Sequence, residues 1–322
     1  HTLELSSAAS DVYKRQGFTT STFADDILGR TAAVGGGQFY RSNDPESLAE
    51  DIVLAITDIL LKSQAFTSAT VPAGRSSSDE KLYTSDFVPS SQNGFWEGHL
   101  RAWTINSLAQ ILDKDGTCAL DDPECRSGTF LSTAEPFWDA AVVMKTAGEA
   151  GRTLRTTRLD GTGNVEVINF DMGIPTDVDL GVTAADITTY DFGVYPVPAD
   201  APTLANVLVE NVRGCELGST DSGCVERLWL LGDIFHSNPL VVSKPDDFNR
   251  DISYKTFAQN FKTRDKVVIA GTNAGFLEIF DAGSWDPALN SGKGAYTAGT
   301  GGEIVGFMPY TARMNAKELA RD

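Results

Sequence analysis

The chain is short of basic charge, histidine, cysteine and long apolar runs, and each shortage removes a class of protein. Lysine and arginine number 26 against 44 aspartates and glutamates, for a formal net charge of −18. Binding duplex nucleic acid needs a basic face that displaces counterions, so nucleic acid is excluded as a main partner. No stretch reaches the roughly 18 uninterrupted apolar residues of a membrane helix, so no membrane span is read. The first residues lack a basic stretch followed by an apolar one, so no signal peptide is read there. Histidine occurs only at His1, His99 and His236. No serine or carboxylate is arranged around both His99 and His236, so no nucleophile–base pair and no catalytic residue is assigned.

The cysteines number 4 and fall into two local pairs, Cys118 with Cys125 and Cys215 with Cys224. Each pair encloses a short loop rich in Asp, Gly, Ser or Pro. Neither has the CxxC spacing of a metal site, and no histidine is near. The reading is two small structural disulfides formed in an oxidising compartment. A zinc site and free buried thiols are the alternatives.

What is present leans toward β-structure, with 30 glycines and few helical signals. Residues 11–16, DVYKRQ, can be written in codons as GAT GTG TAT AAG AGA CAG, the transposon end used in preparing sequencing libraries. Residues 1–16 are therefore expected to be adapter-derived or disordered, with the protein's own sequence starting near Gly17. A start truncated in this way accounts for an exported protein without its export signal. Residues 17–64 have an α/β rhythm: a helix over 25–34, a short strand over 38–41, and an amphipathic helix carrying Leu48, Ile52, Ile56, Ile59 and Leu60 at helical spacing.

From Ala65 the texture becomes β-rich. Over 65–230, Leu100, Ala102, Trp103 and Ile105 predict a strand with one buried face. EPFWDAAVVMKTAGEAG predicts a helix opened by Pro136 and closed at Gly148 or Gly151. RTLRTTRLDGTGNVEVINF predicts a hairpin turning at 160–164. Over 231–322 the clearest element is VVIAGTNAGFLEIFDA. It predicts antiparallel strands at 266–271 and 276–280 joined by Thr272 to Gly275, where Asn273 and Gly275 both tolerate positive φ. Phe276, Glu278 and Phe280 share one face, Leu277 and Ile279 the other. Both faces are largely apolar, which predicts a strand covered on both sides. Residues 240–242 and 304–307 are expected to flank the hairpin in a four-stranded sheet.

Three strings in order, LGDIFHSNPLVV (231–242), AGTNAGFLEIFDA (270–282) and GGEIVGFMPY (301–310), resemble the C-terminal domain of the PilC/PilY family of type IV pilus tip proteins. FWEGHLRAWTI (95–105) and WDAA (138–141) resemble the region before it. Residues 17–64 are similar to the end of a von Willebrand factor A domain, which that family carries at this place. The resemblance runs from about Asp25 onward. It implies a mainly β fold with an α/β N-terminal remnant, followed by an incomplete β-propeller similar to quinoprotein dehydrogenases, only its first blades lying in this chain. Residues 65–230 would lead into the propeller, and 231–322 would hold the first blade or blades. It further implies a non-enzymatic role in type IV pilus biogenesis and adhesion. The location would be the periplasm, outer membrane or cell surface, at the pilus tip. Partners would be minor pilins and a host or abiotic surface. The alternative is a quinoprotein-like periplasmic oxidoreductase.

The family motif holds His236, Asn238, Gly271, Asn273, Gly275 and Asp281, which are assigned structural roles. For His236 and Asn238 the favoured reading is a turn pinned before Pro239, against a ligand or catalytic pair. Asp113, Asp115 and Glu124 fall at the first, third and twelfth places of an EF-hand-length loop. However, Gly116 stands fourth rather than sixth and Cys118 interrupts the loop. The reading is an acidic hairpin turn beside a disulfide. No cofactor or metal ligand is assigned in this chain; the calcium loop of the resembled family belongs to a part of the full-length protein outside it.

Overall fold

The computed structural model describes residues 27, 30, 67–70, 81–88, 95–219, 223–235, 237–245 and 249–320. The chain divides into two compact units, His1–Ser63 and Gln64–Asp322. Of the first unit only Ile27 and Arg30 are described, both helical. The segment at 1–16 and the α/β reading of 17–64 thus lie outside the described residues. The second unit is mainly β, with several sheets, none of which closes on itself among the described residues.

The first sheet runs β1 (Thr67–Thr70), β2 (Lys81–Val88), β3 (Glu97–Ile105) and β4 (Ile111–Leu112), with β5 (Trp138–Asp139) also paired to β3. β3 differs from its sequence reading, because both its faces are covered. Leu100 and Ala102 enter the main core, while Trp103 is buried on the opposite side. The segment around the first cysteine pair, with Ile111, Ala119, Phe130 and Ala134, supplies that second cover. Phe130 stacks on Trp103 with ring centroids 4.3 Å apart, and Trp103 Nε1 donates to Thr84 Oγ1 at 2.9 Å.

Helix α1 (Ala140–Ala147) starts later than Pro136 suggests. Trp138 and Asp139 stay extended because they pair with Ala102 and Arg101 of β3. Asp139 then caps the helix, its carboxylate accepting Ala141 N–H at 3.0 Å. Gly148 ends it at φ 74°, a conformation that favours glycine.

The second sheet contains β6 (Leu154–Leu159), β7 (Val165–Asn169), β8 (Leu240–Val242), β9 (Lys266–Gly271) and β10 (Leu277–Gly283). After a small two-stranded ribbon, β11 (Trp285–Asp286) and β12 (Ala295–Tyr296), the chain returns to it as β13 (Glu303–Met308). The spatial order is β7-β6-β13-β10-β9-β8. The β6–β7 hairpin turns where the sequence places it. Asp160 accepts the N–H groups of Thr162 and Asn164, both at 2.8 Å, mainly through the bond from the Thr162 hydroxyl its pKa falls to about 2. In the β9–β10 hairpin Ile269 faces Ile279, with β8 beside β9 and β13 beside β10, all antiparallel. The four-strand expectation is exceeded. β13 also pairs in parallel with β6, so the sheet has six strands.

Two cores share the inner face of this sheet. Val268, Ala270, Phe280 and Ala282 pack with Tyr83, Leu100, Trp138 and Met144. Phe276, Leu154 and Met308 pack under a helix that the β-rich reading of 65–230 did not resolve. After the short α2 (Asp177–Leu180), this is α3 (Ala201–Arg213). Asp200 caps α3 by accepting Thr203 N–H at 2.9 Å, and Leu204, Leu208 and Val212 line its buried face. Further along come α4 (Ile252–Asn260), α5 (Tyr310–Arg313) and α6 (Ala316–Leu319). The outer face corrects another expectation: it is apolar but uncovered, with Leu240 59% and Leu277 41% exposed.

Candidate functional site

Gly271, Asn273 and Gly275 of the family motif lie at the tip of the β9–β10 hairpin, and Asp281 lies toward its other end. Gly275 N–H donates to Thr272 O at 3.0 Å and Thr272 N–H to Phe276 O at 2.9 Å. Gly275 takes φ 87°, which closes the turn with a left-handed residue before β10 resumes. Asn273 has no positive φ, contrary to the sequence reading. Its main-chain N–H donates to Asp233 O at 2.9 Å and its Nδ2 to the Asp233 carboxylate at 2.6 Å. The asparagine is therefore placed for its side chain, which ties the turn to the segment before β8. Gly271 N–H donates to Ser237 Oγ at 3.0 Å. Asp281 accepts Gly283 N–H at 3.0 Å, Thr300 N–H at 2.9 Å and the Thr300 hydroxyl at 2.8 Å, anchoring the chain that leads into β13. Asn238 is exposed. His236 lies outside the described residues.

Beneath the hairpin lies a buried ion network that the sequence did not announce. Glu278 projects from the inner face of β10 and is fully enclosed. Arg152, just before β6, donates to Glu278 at 3.0 Å, to Glu303 at 3.0 and 2.9 Å, and to Arg213 O at 2.8 Å. Glu303 reaches this face because the β10–β13 register shifts between Ile279 and Phe280, which pair with Val305 and Glu303. A bulge of this kind re-aims a side chain. Two carboxylates thus share one guanidinium. Burial, and secondarily the Glu303 charge, push Glu278 up to about 8 against the pull of Arg152. Arg213, at the end of α3, pairs with Glu149 and Asp171 and donates to Phe170 O at 2.8 Å.

A cavity of about 60 Å3 opens beside the hairpin tip, lined among others by Phe95, Asn211, Arg227, Asp233, Asn273 and Leu319. Burial raises the Asp233 carboxyl above its ordinary range. The guanidinium of Arg227 stands 4.3 Å from the Phe95 ring centroid.

A second charged cluster joins β2, β3 and β5. His99 Nδ1 lies 2.7 Å from Asp139 Oδ2, which also accepts Arg101 Nε at 2.9 Å, and Arg101 pairs with Asp86. Burial raises the Asp86 carboxyl despite the opposing Arg101 charge. Among the described residues Asp139 is the sole hydrogen-bond partner of the His99 ring. The cluster ties three strands together without presenting a nucleophile.

Cys118 is bonded to Cys125 and Cys215 to Cys224, with Cα atoms 5.4 and 5.3 Å apart. Ligand atoms of Glu149, Glu210, Cys215 and Cys224 lie within 4.8 Å of one another. Both sulfurs there are committed to the disulfide and Glu149 is held by Arg213, so the zinc alternative loses its thiolates. In the acidic loop Asp113 accepts the N–H groups of Asp115 and Thr117, both at 2.9 Å, and the Thr117 hydroxyl at 2.6 Å. Its oxygens close a turn, and the Thr117 hydroxyl bond is the main cause of its lowered pKa.

Of the motif residues, Gly271, Asn273, Gly275 and Asp281 are brought to one hairpin. Arg152, Glu278, Arg227 and Asp233 were missed. A signal existed for one: a lone glutamate between Phe276 and Phe280 on an inward face requires a buried cation. No protein-family model, curated protein or solved structure matches the chain.

Proposed function

We propose that this chain is part of an exported, non-enzymatic type IV pilus biogenesis and adhesion protein of the PilC/PilY kind. The observation that carries the reading is the sheet built by its three motif strings. Residues of 231–242, 270–282 and 301–310 supply β8, part of β9, β10 and β13, neighbours in one antiparallel run. That run carries an apolar outer face of Leu240, Ile269, Leu277 and Ile279. A propeller blade has this form, since each blade covers the face of the next. The six-stranded sheet is wider than one blade, with β6 and β7 as the added strands.

Two disulfides accord with an exported location in the periplasm, outer membrane or cell surface. At the pilus tip the partners would be minor pilins and a host or abiotic surface. Calcium would bind the full-length protein at a loop outside this chain.

Deleting the gene in the organism that encodes it, and scoring surface pili and twitching motility by microscopy, tests the reading. Loss of piliation, restored by the intact gene, is the expected result. Normal piliation, with loss of a quinone-dependent dehydrogenase activity instead, would replace it by the oxidoreductase reading.

A further inference from the structure

Arg227 is a half-buried cation with no counter-ion among the described residues. Its main-chain N–H donates to Gly214 O at 2.8 Å, and the neighbouring Cys215–Glu226 bridge and Cys215–Cys224 disulfide hold its backbone. Its side chain has no ion pair and no hydrogen bond among the described residues. Nε is enclosed with no partner. Burial, together with the Arg152 charge, lowers its pKa to about 10. The contact with Phe95 positions the guanidinium but satisfies none of its N–H donors. Leaving the enclosed Nε donor unmet is costly.

The cavity beside it has the complementary chemistry. A water needs roughly 10–15 Å3 of this kind of space, so about 60 Å3 admits an ion of a few heavy atoms. Arg227 lines one wall. Another offers Asp233, 5% exposed and held by Asn273. Arg227 and Asp233 line the same space without pairing. An occupant with a carboxylate at one end and an N–H donor at the other would satisfy both. A phosphate dianion would satisfy the arginine but set two negative charges against Asp233. Phe95 and Leu319 add apolar surface to the lining, and the small volume leaves room for a small side chain only.

We propose that this cavity binds an α-amino- or α-amido-carboxylate, with Arg227 gripping the carboxylate bidentately and Asp233 accepting the adjacent N–H. The source is either a free small amino acid or the C-terminal residue of a peptide chain, of glycine or alanine size. The assignment is independent of the pilus reading.

Calorimetric titration and thermal unfolding of the whole chain with glycine, N-acetylglycine, acetate, phosphate and chloride, at matched ionic strength, test it. Saturable binding of glycine or N-acetylglycine is expected, with acetate weaker and phosphate and chloride inert. Preference for N-acetylglycine identifies a peptide end, and preference for glycine a free amino acid. Arg227→Gln abolishes the effect, and Arg227→Lys, which keeps charge but loses the fork, weakens it by about tenfold or more. Asp233→Asn narrows the margin of glycine over acetate. Absence of binding in the wild type, equal stabilisation by all five solutes, or undiminished binding by a folded Arg227→Lys variant would overturn the proposal.

Discussion

Glu278 shows how a single side chain can set the pH behaviour of the molecule. Its carboxyl is pushed up to about 8 in the folded chain and returns to about 4.3 when unfolded. Between those values the folded state holds a proton that the unfolded chain releases. The stabilisation from this group is therefore complete below about pH 4 and is lost as pH rises through about 8. The urea midpoint should fall between pH 5 and 8.5, and Glu278→Gln should flatten that decline, because the amide never ionises. A slope unchanged in the variant would place the titration elsewhere. Removing the cation is the harsher change. Arg152→Ala strands the buried Glu303 carboxylate, leaves Glu278 without its partner, and should cost about 3–5 kcal/mol in urea unfolding at neutral pH. The glutamate's inward position follows from strand alternation alone. Its partner does not, since Arg152 precedes it by 126 residues and no local pattern links them.

Hairpins were the elements most legible in the sequence, because their signals are local. The turn at 160–164 and the tip at 272–275 both form where the sequence places them, although Asn273 serves through its side chain rather than a positive φ. Elements whose limits depend on distant pairing were harder. Trp138 and Asp139 have no intrinsic reason to stay out of α1 until β3 is beside them. In α3 the β-branched valines of ANVLVENVR lower helix propensity, and the helix emerges only from the Leu204, Leu208, Val212 period and the Asp200 cap. Within the hairpin tip the roles of two residues separate. Gly275 answers a backbone need at φ 87°, and a Cβ there would meet Leu319 Cδ1 and Met308 Cε at 3.2 Å. Gly275→Ala should therefore destabilise by about 1–2 kcal/mol from the left-handed strain, read as a lower thermal midpoint. An unchanged midpoint would mean the turn re-forms without positive φ.

For the whole molecule, the balance between charge and exposed apolar surface decides how the chain behaves alone. The inner face of the second sheet is fully used by the two cores. Its outer face presents Leu240 opposite half-buried Ile269, Ile269 opposite Ile279, and Leu277 two residues before Ile279 on the same face. Apolar patches of this kind mark a surface meant to be covered, and in a propeller the neighbouring blade would cover it. A net charge of −18 opposes contact between copies, and salt screens that repulsion within about 3 Å at 1 M. The chain alone should then associate as salt rises, opposite to the trend for contacts made by charge. A Leu240→Thr, Leu277→Thr double variant should stay monomeric in the same buffers. Both side chains are exposed and belong to neither core, so their replacement leaves the core intact and the thermal midpoint nearly unchanged. Sedimentation velocity across a salt series reads the difference. A wild-type chain that remains monomeric at high salt has no face in need of a partner, and the blade reading of this sheet would lose its physical basis.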